Sequence, residues 1–191
     1  MTNQVEKNEV RDVAEVERIK LEMLQYHGNS LSYKLAFLGI GCSVLAAFVC
    51  LNSFYPNMLG FLKIMLNIGI LLFGFMYSEK VKSYSKQASI ALCVIGGICA
   101  LRIFWVPLNL IVWYNRYQAD NSIKEEAGKY LGDIMLTDDF TINWLPKDGN
   151  FRGIVAMVFL AIAAAAFITS GVIGIIKSNQ YAKSKNEKLG G

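Results

Sequence analysis

Four apolar runs, residues 35–54, 58–77, 88–113 and 153–176, divide this chain. Each matches or exceeds the roughly 20 helical residues needed to cross a hydrocarbon core of about 30 Å. A segment at that depth has no water for its backbone N–H and C=O groups, so it must bond them internally as a helix. Composition points the same way, because 54% of the residues are hydrophobic, more than the roughly 45–50% of soluble domains. The turn at 55–57, Tyr55-Pro56-Asn57, is so short that the second run must return antiparallel beside the first. The pattern predicts an all-α integral membrane protein whose four transmembrane helices form an antiparallel bundle over 35–177. A cytoplasmic amphipathic segment, 1–34, precedes it and a basic tail, 178–191, follows.

The connections carry patterns of their own. Residues 1–34 are polar and lack the basic start and apolar core of a cleaved signal peptide. Within them Val10, Val13, Val16, Ile19 and Met23 recur at helical spacing, which predicts an amphipathic helix broken at Gly28 and Asn29, resting on the membrane surface or docking a partner. Residues 78–87 read as a compact basic linker. Pro107 interrupts the third run and predicts a kink, and Trp113, Tyr114 and Tyr117 close that run as an interfacial aromatic belt. In the loop 114–152, Ser122 to Glu125 reads as a capping box. Ile123, Ala127, Tyr130, Leu131, Ile134 and Met135 then share one face of a short amphipathic helix. Phe140, Ile142 and Trp144 alternate with polar residues ahead of Pro146 and the Asp148-Gly149 turn.

Lysine placement sets the expected orientation. Lys34, Lys80, Lys82, Lys86, Lys177, Lys183, Lys185 and Lys188 all flank one side, whereas acids outnumber bases in the loop 114–152. The positive-inside rule puts the lysine side, with both termini, in the cytoplasm. The absence of N-glycosylation sequons fits a bacterial plasma membrane.

Several functions are poorly served by these residues. A net charge of +4 is too modest to require a nucleic-acid partner. The four cysteines, Cys42, Cys50, Cys93 and Cys99, fall inside the runs and read as buried thiols, and with one histidine in the chain no metal or other cofactor is expected. Between 35 and 113 the only carboxylate is Glu79, in the basic linker, and 153–185 has none. Proton- or sodium-coupled transport relies on intramembrane acids, and nucleophilic catalysis on a positioned base, so neither an enzyme nor a coupled transporter is expected.

What remains is charge and small residues. Lys63 lies five residues into the second run and Arg102 fourteen residues into the third, about 21 Å from its start, so both fall in the outer half of the bilayer. A cation at the centre of a spanning helix costs roughly 2.5–3.5 kcal/mol unless it snorkels to the headgroups or meets a partner. Arg102 can snorkel, pair with Asp133, Asp138 or Asp139 of the loop, or face a cleft with Lys63, Asn67 and Asn109 as an electropositive site for an anion or anionic lipid. In the fourth run, Ala161 with Ala165 and Ser170 with Gly174 are small-residue pairs at helix-packing spacing, and Gly39, Gly96 and Gly97 offer further close-approach points. The expected function is a non-enzymatic subunit or scaffold of a membrane assembly, its partners being the lipid bilayer and either other membrane subunits or copies of itself. The alternative is a channel, transporter or binder for anions or anionic lipid.

Overall fold

A computed structural model describes residues 16, 29–50, 58–123, 126–127 and 148–189, but not the side chains of 58–60, 63, 121 and 184–189. Five α-helices make up nearly all of it: α1 Ser30–Val49, α2 Met58–Lys82, α3 Lys86–Trp105, α4 Pro107–Ala119 and α5 Gly149–Leu189. With α3 and α4 forming one almost continuous rod, the four expected spans are present, each long and apolar enough to cross a membrane. The expected amphipathic helices of the N-terminal segment and the loop lie outside the described residues, apart from Val16 and from Glu126 and Ala127.

The four spans pack in a ring. α5 lies along α3 and α1, α1 lies against α2, and α2 meets α3 more lightly. Neighbours run antiparallel, as pairs at the two ends show: Ser32 meets Ser170 at one end, and Val49 clusters with Ala156 at the other. We call the first the turn end, after the α2–α3 turn, and the second the loop end. The core between them contains Ala36, Ile40, Ile70, Leu92, Ile95, Cys99, Ala164 and Phe167. Phe167 of α5 is fully buried in a slot between two glycines. A Cβ on Gly39 of α1 would stand 3.0 Å from its ring, and one on Gly74 of α2 would stand 3.5 Å away. The α3–α5 seam is tighter still, since a Cβ on Gly171 would lie 2.5 Å from the carbonyl oxygen of Ser89. Close backbone approach of this kind gives spanning helices their van der Waals contact, and only small residues permit it.

Helix ends depart from the sequence reading, and interhelix hydrogen bonds explain why. α1 starts at Ser30 rather than 35 because its polar first turn has partners. Asn29 donates from Nδ2 to the Val81 carbonyl at 3.2 Å, and Ser32 Oγ donates to the Ser170 carbonyl at 2.6 Å. It ends at Val49 instead of 54. α2 runs on to Lys82, absorbing much of the expected linker, as Ser78 returns its hydroxyl to the Phe75 carbonyl at 2.7 Å. The remaining turn holds Tyr84 at a φ of 56°, stacked on Tyr181 of α5 at 5.1 Å, and Ser85 caps α3 by accepting from the Ala88 N–H at 3.3 Å. Burial beside Tyr181 pushes the Tyr84 hydroxyl above its ordinary range. The third run breaks at Val106 as Pro107 predicts, but α4 continues past 113 to Ala119. Its end is followed by a 3₁₀ turn, Asn121–Ile123, where the sequence predicts a capping box. There Asp120 Oδ1 accepts from the Ser122 N–H at 2.9 Å, and bonds from Ser122 hold the Asp120 carboxyl below its usual range. α5 is longer than the 153–176 expected. It runs through the boundary at 177 to Leu189, and at its start Asp148 Oδ1 accepts from the Asn150 N–H at 2.9 Å.

Candidate functional site

Arg102 lies in the last turn of α3, one turn before Pro107. It is only 3% exposed, so it neither snorkels nor faces lipid. Nη2 donates to Asn67 Oδ1 on α2, and Nη1 reaches Ser43 Oγ on α1 at 3.5 Å. Nε is buried with no hydrogen-bond partner. One guanidinium thus ties three helices together through neutral groups. Pro107 has no N–H to offer the Ile103 carbonyl, so the hydrogen-bond ladder of α3 breaks one turn beyond the cation.

A second guanidinium is buried at the same end. Arg152, in the first turn of α5, is also 3% exposed. The position of Arg152 runs against the helix dipole, whose positive end disfavours a cation in the first turn, so packing and partners rather than the helix hold it there. Cys99, fully buried, sits below Arg102 on α3, and no disulfide joins any of the four cysteines.

The sequence-proposed residues separate into groups. Asn67 and Arg102 come together directly. Asn109 does not join them. Its Nδ2 donates to the Trp105 carbonyl at 2.7 Å, across the α3–α4 break. Lys63 is on α2 one helical turn before Asn67, and its side chain lies outside the described residues, as do Asp133, Asp138 and Asp139. In α5 the two small-residue pairs point in opposite directions. Ser170 and Gly174 are buried against α1 and α3: Ser170 Oγ donates to the Ser32 carbonyl at 2.7 Å, and a Cβ on Gly174 would collide with Ser89. Ala161 and Ala165 are exposed on the outer surface. Gly39 and Gly96 are close-approach points, whereas Gly97 has open space beside it.

Sequence reasoning missed Ser43 and Arg152. Ser43 could have been found by depth. It lies seven residues from Cys50, about 10 Å from the loop end, a level comparable with that of Arg102. Arg152 reads in the sequence as the last residue of a loop, and its unfavourable place at a helix start was the available signal.

A groove of about 410 Å³ opens between α1 and α2. Its walls are apolar, with Val44, Ala47 and Phe48 on one side and Ile64, Ile68 and Leu71 on the other. Ser43 and Asn67, the two side chains that hold Arg102, also line it.

Four packed helices, each able to cross a bilayer, define a multi-pass membrane protein. No protein-family model matches the chain, nor does any curated protein or solved structure.

Proposed function

We propose that this protein is a non-enzymatic subunit or scaffold of a membrane assembly, made with copies of itself or with other membrane proteins. The observation that carries this reading is the division of small residues on α5. Those facing inward are used up by α1 and α3, but Ala161, Ala165 and Thr169 make a second small-residue face on the exposed side. The Thr169 hydroxyl is folded back onto the Ala165 carbonyl at 2.7 Å, leaving the stripe, which Ile162, Ile168 and Val172 flank, without a free donor. In hydrocarbon, apolar side chains gain nothing from mere burial, so a small-residue stripe between larger side chains suits close packing with another helix. Both termini on the cytoplasmic side of a bacterial plasma membrane fit the lysine-rich turn end and the four spans among the described residues.

Mass determination in mild detergent, combined with cross-linking of Ala165→Cys, tests this. The expected result is an oligomer or a co-purifying partner, with a cross-link at position 165 and none at Ile90→Cys on the exposed face of α3. A lone monomer with no cross-link at 165 would overturn it.

A further inference from the structure

The groove between α1 and α2 and the buried charge behind it belong together. Ser43 and Asn67 form part of the groove wall, and their polar atoms turn inward to the guanidinium, so Arg102 lies one side chain behind an otherwise apolar surface. Along α1 the groove runs from Ile40 to Phe48, about 12 Å, so its upper end lies one residue before α1 finishes at the loop end. Phe48, Ile64, Ile68 and Leu71 are exposed, which places the open side of the groove toward the hydrocarbon of the bilayer. The occupant therefore enters from the membrane and must be a hydrocarbon chain for most of its length.

Charge decides the other end. Arg102 keeps one N–H without an acceptor, its known partners are neutral, and the sequence supplies no carboxylate to α1, to α3 or to the loop-end half of α2. In a medium of low dielectric a cation one side chain from the surface is weakly screened, so its field reaches into the groove. We propose that this groove binds one anionic phospholipid of the bilayer, an acyl chain lying between α1 and α2 and the phosphate head drawn to the loop end by Arg102. Arginine is suited to this because its charge persists when buried.

The full-length protein, reconstituted in vesicles of equal parts phosphatidylcholine and phosphatidylglycerol with identical chains, is extracted in mild detergent and weighed with its lipids by native mass spectrometry. Wild type is expected to retain phosphatidylglycerol about fivefold over phosphatidylcholine, the effect of one basic side chain on an anionic lipid. Ala47→Trp fills the groove from the α1 wall, one turn beyond Ser43, and is expected to lose both lipids while keeping the wild-type unfolding temperature. Arg102→Gln is expected to keep the lipid but lose the preference. Equal retention of the two lipids by wild type overturns the proposal, as does undiminished phosphatidylglycerol on Ala47→Trp or an unchanged preference in Arg102→Gln. If Arg102→Gln fails to fold, Ala47→Trp decides alone.

Discussion

At the scale of single residues, the energetics of Arg102 can be separated from its chemistry. Moving a guanidinium out of water costs several kcal/mol, and neutral acceptors on Asn67 and Ser43 return only part of that. A residue kept for stability would not be chosen this way. Arg102→Met nearly keeps the volume and removes the charge together with its desolvation cost, and is expected to be the milder of two changes. Asn67→Leu keeps the charge and removes an acceptor, and is expected to cost about 1–3 kcal/mol. Thermal unfolding in one detergent compares the two. The reverse order would show that Arg102 is a net stabilising staple and nothing more. Only part of this arrangement is legible in the chain. A cation in an apolar run announces itself, and Asn67 stands out for the same reason, but Ser43 looks like any serine in a spanning helix. Nothing in a linear pattern says that Asn109 turns to the carbonyl of Trp105 instead.

Among the elements, α5 holds the fold together, because α1 and α3 both pack along it and α2 is held chiefly through α1. The α3–α5 seam depends on the absence of side-chain atoms. Gly171→Ala would place a methyl 2.5 Å from the Ser89 carbonyl oxygen, and the backbone on both sides is helical, so the helices must part. Overpacking of this kind costs about 1–3 kcal/mol. Gly97→Ala, on the open side of α3, meets nothing and should instead gain the roughly 0.5–1 kcal/mol by which alanine exceeds glycine inside a helix. Denaturation of the two variants should therefore move in opposite directions, and a shared direction would remove the seam as a determinant. The sequence makes the number of spans and the break at Pro107 plain, since blocks of apolar residues and a missing N–H are local properties. It does not reveal where helices end, because bonds such as Asn29 to Val81 cross from one helix to another. Nor does a small-residue pattern by itself say which side it faces. Ser170 follows Ala161 by nine residues, which at 3.6 residues per turn places them about 180° apart, one pair inside and the other outside.

For the whole molecule, unequal helix lengths set how the bundle sits in a bilayer. α1, at 20 residues, spans about 30 Å, enough for the hydrocarbon core alone. The 34 residues from Lys86 to Ala119 span about 51 Å and the 41 residues of α5 about 61 Å, so both project beyond it. At the loop end, α4 carries Trp113, with Arg116 5.1 Å from its ring, the residue pair expected of an interfacial aromatic belt. At the turn end, α5 passes the Tyr84–Tyr181 stack and continues past the exposed Lys183. Asp148 and Lys183 therefore lie at opposite ends of one helix, separated by about 52 Å. Single cysteines at these two positions test the orientation, because Cys42, Cys50 and Cys99 are buried and Cys93 is half-buried in the span. In intact cells an impermeant maleimide should label Asp148→Cys, and should label Lys183→Cys only after the membrane is opened. The lysines at the turn end require that order under the positive-inside rule. The opposite order would invert the protein, and labelling of both positions in intact cells would mean that α5 does not cross the membrane.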